Sequence, residues 1–393
     1  MTQTPEEIRA GAVALLESHW DSERGHTYPN LSTYPHQWLW DSCFAAICWE
    51  AVDRPDRGLR ELTNAMSAQF PDGFVPHIRY AGIGGGRGPR TDVSSYTQPP
   101  IHAHAARVLS RTQHISADLL DRIRRHLEWL WTRRRTSDGL LFVVHPWETG
   151  VDDCPRWDSW AAAFLGFADW RDVVWTRESF TRLDLWLVMQ TEFDADGEAV
   201  GSQVFAAAPS GFNALTAHAA REYAALSGDT LWADRATELA AAIDARMWNP
   251  QTGLWSDVPL VGGGEDCHVP TLDGVLPALV TADTERAAAA VGQLADPNRF
   301  AAPFGVAVVA RDHPTCDPGG YWRGGAWMQM NYLARLTAQR CGRADIAEQI
   351  AAVSMAAVEH TRFAEYWNIE TGEGLGAIPL TWSALVASML PRD

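Results

Sequence analysis

Apolar positions along this chain recur every three or four residues in segment after segment, the periodicity of helices that bury one face. Between Thr230 and Met247, Leu231, Ala233, Ala236, Leu239, Ala240, Ile243 and Met247 fall at that spacing. The same pattern predicts helices over 5–20, 38–53, 56–69, 98–111, 116–136, 157–171, 177–190, 211–226, 229–248, 271–281, 283–295, 323–341, 343–361 and 380–390. The first opens at Thr4-Pro5-Glu6-Glu7, where Thr4 can cap and Pro5 suits the first helical position. Strand-like alternation is scarce, with Leu140 to Val144 a short example.

Short turns, Ser227-Gly228-Asp229 and Cys341-Gly342-Arg343, join consecutive helices and predict antiparallel hairpins. No long linker, low-complexity tail or composition break interrupts residues 1–393, which therefore read as one all-α domain. Roughly twelve helices in six pairs point to an (α/α)6 barrel, or toroid, whose inner helix ends enclose a cup. A helical solenoid is the alternative architecture. The segment 79–100 stands apart. Its run Ala81-Gly82-Ile83-Gly84-Gly85-Gly86-Arg87-Gly88-Pro89 matches neither a Walker A loop nor a complete GxGxxG. It reads either as a lid over a pocket or as a solvated loop.

Composition narrows the chemistry. With 46% hydrophobic and 21% charged residues the chain is neither disordered nor fibrous. It lacks an apolar run long enough for a transmembrane helix, and Met1 to Glu7 lacks the basic and apolar regions of a signal peptide. A cytoplasmic location is expected. Acidic residues number 49 against 32 Lys plus Arg, a formal charge of −17, which disfavours nucleic acid and anionic membranes as partners. A small-molecule partner is expected, and a homo-oligomer is compatible with the sequence. Six cysteines, at 43, 48, 154, 267, 316 and 341, form no CxxC pair and read as reduced. The 19 tryptophans suit both helix packing and stacking on sugar rings.

Four segments set aromatic residues beside acids or bases. In Tyr34-Pro35-His36-Gln37-Trp38-Leu39-Trp40-Asp41-Ser42, Asp41 or Ser42 can cap a helix, or Asp41 can bind a hydroxyl-rich ligand between Trp38 and Trp40. His145 to Asp158 holds Glu148, Asp152 and Asp153 in a Gly/Pro-punctuated loop. That loop is either a cap with Arg156 bridging an acid, or a site where burial lets one Asp keep its proton. Gly319 to Trp327 offers Tyr321, Trp322 and Trp327 as stacking faces between glycines. Glu365 with Tyr366 and Trp367 precedes a turn, and Thr381-Trp382-Ser383 follows. Two acids on separate loops among Trp and Tyr are what glycosidic bond cleavage requires: one protonates the leaving oxygen, and the other activates water or attacks the sugar.

Rival chemistries are less well supplied. His102-x-His104 lies on a predicted helix, where i and i+2 face apart, so joint metal ligation is awkward. Glu265-Asp266-Cys267-His268 reads as a polar turn, and no G-x-S-x-G is present. No metal site is assigned. A sugar epimerase or a lyase using His, or a non-catalytic carbohydrate-binding protein on the same scaffold, are the alternatives.

Gln37-Trp38-Leu39-Trp40-Asp41-Ser42, Gln98-Pro99-Pro100, the Glu148-Thr149-Gly150-Val151-Asp152-Asp153-Cys154-Pro155-Arg156-Trp157 core, Tyr321-Trp322-Arg323-Gly324 and Glu365 to Gly376 with Trp382-Ser383 occur in family order. Through them the chain resembles glycoside hydrolase family 63, in its mannosylglycerate/glucosylglycerate hydrolase branch. The resemblance implies an (α/α)6 barrel and an inverting α-glycosidase that needs no organic cofactor. It implies Asp152 as general acid, with Asp153 as fallback, and Glu365 as general base, with Glu373 as fallback. It implies Asp41 as a sugar-binding residue, and Tyr34, Trp38, Trp40, Gln98, Tyr321, Trp322, Arg323 and Trp327 as pocket members. Gly325-Ala326-Trp327 departs from the Pro-containing sequence usual there, and Thr149 replaces the commoner Ser. The chain is short for the family, which favours a small glycoside. A charged aglycone such as glycerate would need a cation, which Arg79, Arg87 or Arg90 could supply.

Overall fold

The computed structural model describes residues 4–82, 88–161, 164, 176–264 and 266–391. In α1 (Pro5–His19), Thr4 Oγ1 accepts from the Glu7 N–H at 3.2 Å and the Glu7 carboxylate accepts from the Thr4 N–H at 2.8 Å, a capping box. Then follow α2 (Leu39–Ala51), α3 (Pro55–Ser67), α4 (His102–Leu109), α5 (Ala117–Arg133), α6 (Arg177–Met189) and α7 (Ser210–Ser227). The chain continues through α8 (Thr230–Arg246), α9 (Thr284–Gly292), α10 (Met328–Arg340) and α11 (Ala344–Thr361).

The molecule is helix-rich, and its helices sort into two kinds. Every residue of α2 is buried, as is every residue from Ser210 to Ala220 in α7. By contrast α5 buries only a stripe of Leu119, Ile123, His126, Leu127, Trp129 and Leu130, and α8 a stripe of Trp232, Ala236, Leu239, Ala240 and Ile243. A helix apolar all round must be covered all round, whereas a striped one faces water. Accordingly α2, α4, α7, the segment Leu272–Leu279, α10 and the segment Thr381–Met389 each pack on the next, and the last packs on α2. The striped helices α3, α8, α9 and α11 lie against the buried element before them, and α1 covers Thr381–Met389. One apolar cluster runs through the whole, from Ile8 to Leu390.

Several boundaries differ from the periodic pattern. α4 begins at His102 rather than 98, because Pro99 and Pro100 cannot donate and disfavour helical neighbours. Gly324-Gly325 likewise delays α10 until Met328. The predicted helices at 271–281 and 380–390 are 3₁₀ turns, Leu272–Leu279 and Thr381–Met389, the first with Pro277 inside it. Of the predicted helix 157–171, Pro155–Trp160 is a 3₁₀ turn and the part after 164 lies outside the described residues. Leu140–Val144 is extended, with Leu141 bridged to Arg135 and Val143 to Ala207.

Part of the segment 79–100 is packed against the rest of the chain. Tyr80 N–H donates to the Asp92 carbonyl at 2.9 Å, Ser94 N–H to Ile78 at 2.9 Å and His77 N–H to Tyr96 at 2.7 Å. Residues 93–100 are buried, so this half of the segment 79–100 is packed framework. Residues 83–87, which hold most of the glycines and Arg87, lie outside the described residues. Among the described residues no helix is long and apolar enough to cross a membrane.

Candidate active site

The loops that join the buried segments at one end line a cavity of about 340 Å³. Both acids singled out in the sequence reach it, from segments more than two hundred residues apart: Asp152 and Glu365.

The loop carrying Asp152 is built by assigning a different task to each of its acids. Glu148 is fully buried and accepts from Arg134 at 2.7 and 3.1 Å, from the Val144 N–H at 2.8 Å and from the Thr97 N–H at 3.4 Å. It thereby ties this loop to the neighbouring loop of Gln98. Thr149 Oγ1 donates to the Pro146 carbonyl at 2.7 Å and accepts from the Val151 N–H at 3.1 Å, bracing the residue before Asp152. Gly150 sits at φ +70°, and a Cβ there would come within 2.5 Å of the Trp40 indole. Asp153 is ion-paired with Arg177, and Asp158 is gripped by Arg323 at 2.6 and 2.9 Å. Arg156 bridges none of these acids; it pairs with Asp257 at 3.1 Å and Asp273 at 3.2 Å. What remains is Asp152, half-buried and facing the cavity. Burial, reinforced by the Asp153 charge and opposed by Arg177, pushes its carboxyl up to about 7.

Glu365 follows α11 and is held rigidly. Its N–H donates to the Ala377 carbonyl at 2.8 Å, and the Trp382 indole N–H donates to the Glu365 carbonyl at 2.9 Å. Its Oε1 accepts from the Tyr34 hydroxyl at 2.8 Å and its Oε2 from the Ala377 N–H at 2.8 Å. Burial raises this carboxyl, while the two donors and Arg177 favour its charged form. Gly376, at φ +70°, leaves room for that carboxylate, since a Cβ would lie 2.4 Å from Oε2.

Seven predicted pocket members line the cavity: Tyr34, Trp38, Trp40, Asp41, Gln98, Tyr321 and Trp322. Asp41 lies in the first turn of α2, where burial pushes its carboxyl up to about 8, and Gln98 Oε1 accepts from the Trp40 N–H at 3.2 Å. Trp322 adopts φ +57°, rare for a bulky residue, and is held there by stacking on Trp327 at 3.6 Å. Two predicted members are not in the wall. Trp327 is sandwiched behind it, between Trp322 and Tyr366, and Arg323 spends its guanidinium on Asp158 and the Asp153 carbonyl. Of the fallback acids, Asp153 is paired with Arg177 and Glu373 is exposed on the turn before Gly374, outside the cavity lining.

Of the three cations expected, Arg87 lies outside the described residues and the other two do not line the cavity. Arg79 is exposed and absent from the lining, while Arg90 is buried, pairs with Glu198 at 3.3 Å and lies 3.8 Å over the Phe70 ring. Instead α6 presents Arg177, Thr181 and Asp184, at i, i+4 and i+7, as one polar face lining the cavity. That polar stripe in a predicted helix is the signal sequence reasoning overlooked. Arg177 lies over the Tyr321 ring at 3.7 Å, and its side chain remains 56% exposed. Burial and the Asp153 and Asp152 charges raise the Asp184 carboxyl. His36, His77, Tyr80, Trp147 and Trp382 complete the polar and aromatic wall. Of the cluster 265–268, Asp266 accepts from the Ser159 N–H at 2.5 Å and His268 is exposed; Glu265 lies outside the described residues.

The model of the mannosylglycerate hydrolase MGH1-like glycoside hydrolase domain matches residues 34–383. A mannosylglycerate hydrolase of Thermus thermophilus is 30% identical over 97% of this chain and 100% of its own. A glucosylglycerate hydrolase of Mycolicibacterium hassiacum is 29% identical over 97% of each chain. The crystal structure of a family 63 mannosylglycerate hydrolase from a second strain of Thermus thermophilus, in complex with glucose, superposes with a TM-score of 0.81, at 28% identity, covering 97% of this chain and 99% of that one. A match of this extent, over a chain that brings an acid pair into one aromatic cavity, makes the protein a member of the MGH1-like glycoside hydrolase family.

Proposed function

We propose that this chain hydrolyses a small α-glucoside or α-mannoside of an anionic aglycone, glucosylglycerate or mannosylglycerate, with inversion at the sugar carbon. Asp152 gives its proton to the glycosidic oxygen as the bond to the sugar carbon breaks. Glu365 takes a proton from a water that attacks the opposite face, and exchange with solvent resets both carboxyls. The observation that supports this reading is that Asp152 and Glu365 line one aromatic cavity in different settings: Glu365 accepts from the Tyr34 hydroxyl and the Ala377 N–H, whereas burial and the neighbouring Asp153 charge raise the Asp152 carboxyl. Asp41 and Gln98, with the tryptophan walls, would take the sugar hydroxyls and ring faces. Arg177 would take the carboxylate of the aglycone with the N–H groups that Asp153 leaves over. The cavity is at the lower end of the size typical for small-molecule sites, about 300–1,000 Å³.

The ring of six buried segments, with α1, α3, α8, α9 and α11 packed against its members, supports reading the fold as an (α/α)6 barrel and residues 1–393 as one catalytic domain. Product analysis on glucosylglycerate, mannosylglycerate, trehalose, kojibiose and short α-glucans tests the substrate. Proton NMR of the first-formed sugar tests the stereochemistry, and an initial β-anomer is expected. Asp152→Asn and Glu365→Gln should each lower turnover at least about a hundredfold. Near-full activity in both variants, or an α-anomer as first product, overturns the assignment.

A further inference from the structure

We propose a second, non-catalytic site for a divalent late first-row transition ion inside the ring of helices, with His104 Nδ1, His218 Nε2 and a Glu222 oxygen as its protein ligands. It is independent of the glycosidase reading. The two histidines that looked like a pair in the sequence part company in space: His102 Nε2 meets His126 Nδ1 on α5 at 2.9 Å, whereas His104 on α4 turns to α7. There His104 Nδ1 lies 3.2 Å from His218 Nε2, which lies 3.9 Å from Glu222 Oε1 one helical turn further on. The three ligand atoms all fall within 4.8 Å of one another. An ion about 2.1 Å from each of two ligands in a tetrahedral site holds them about 3.4 Å apart, so the observed separations bracket that spacing.

The surroundings suit an ion in further respects. His104 Nε2 is 2.8 Å from the Tyr332 hydroxyl of α10, the outer contact that a metal-bound imidazole uses to fix its tautomer. The Glu222 side chain is 20% exposed, which provides an entry path and room for a water ligand. Positive charge stands nearby. Arg107 Nε is 3.6 Å from Glu222 Oε2, and Arg111, Arg221 and Arg340 also act on this carboxylate. That field weakens any divalent cation alike, and the two imidazole ligands favour Zn²⁺, Ni²⁺ or Co²⁺ over Mg²⁺ or Ca²⁺. Bound there, the ion would cross-link α4 to α7 beneath the cavity floor, where Tyr332 packs on Phe44 and Phe44 on Trp40.

The test is titration of the chelator-treated full chain with Co²⁺ and Zn²⁺, read by visible absorption and by thermal unfolding. One equivalent should bind, with nitrogen- and oxygen-type Co²⁺ bands and a raised Tm. His218→Gln and Glu222→Gln should each weaken binding at least about tenfold while glycosidase turnover stays at the wild-type level. If His218→Gln fails to fold, Glu222→Gln, at a partly exposed position, decides alone. Absence of saturable binding, full binding in Glu222→Gln, or a thiolate charge-transfer band from one of the six cysteines overturns the proposal.

Discussion

Asp152 and Glu365 are both carboxylic acids beside one cavity, both raised by burial but set among different neighbours. For Asp152 the folded-state value of about 7 lies above the ordinary 3.8, so its acid form survives to neutral pH. kcat/KM should therefore fall on the alkaline side with a limb near pH 7. Asp152→Asn, assayed on a glycosyl fluoride that needs no protonation to leave, should lose that limb and keep the acid one. Stability follows with a definite sign. Between the two values the folded chain binds more proton at this site than the unfolded chain, so stability falls as pH rises from about 4 to 7. Asp152→Asn should remove that slope and be more stable at pH 8 by about 1–2 kcal/mol, allowing for the part of the carboxyl open to the cavity. Arg177 has its own test: Arg177→Met should raise KM for a glycerate-bearing substrate about tenfold or more, and barely change it for a neutral glycoside of the same sugar. Equal effects on both would separate Arg177 from the aglycone.

At the scale of elements, the loop 144–153 is braced from behind by Glu148, which holds Arg134 and the Val144 N–H. Breaking the buried Arg134–Glu148 pair by Glu148→Gln strands a guanidinium and should cost about 3–5 kcal/mol. With Asp152 on the same loop, kcat should fall more than KM changes; an unchanged kcat in the folded variant would show that the brace does not position the acid. Element types were legible where periodicity and capping agree, as in α1, α5 and α8. They were not legible at Leu272–Leu279 and Thr381–Met389, whose apolar content reads as helix although the backbone is 3₁₀. Continuous burial erases the stripe that distinguishes one helical type from another. Arg323 shows a related limit: its place in a Tyr-Trp-Arg-Gly motif says that it matters, and only coordinates show that it serves Asp158.

Across the whole molecule, the N-terminal helix and the C-terminal segment depend on each other. α1 buries Ile8, Leu15 and Leu16 and packs on Thr381–Met389, the segment that supplies Trp382 to the cavity and Ser383 to the Ala364 carbonyl. Deleting residues 1–19 should cost about 5–8 kcal/mol in apolar burial, comparable to the total stability of many domains, and should abolish activity with it. A truncated chain that unfolds at the wild-type temperature would show that the covering helix is dispensable.

Periodicity and punctuation pointed to a helical chain, and acids set among tryptophans to a carbohydrate-type site as one reading, because those signals are local: each depends on residues within a few positions of one another. Which of the clustered acids faces the cavity, which arginine reaches it and which aromatic stands behind the wall were decided by long-range contacts. Asp153 meets Arg177, Glu365 meets Tyr34 and Trp322 stacks on Trp327 only after the ring of buried segments has brought distant loops to one end. Charge and hydrogen bonding act over a few ångströms of space, and sequence separation carries no record of that distance.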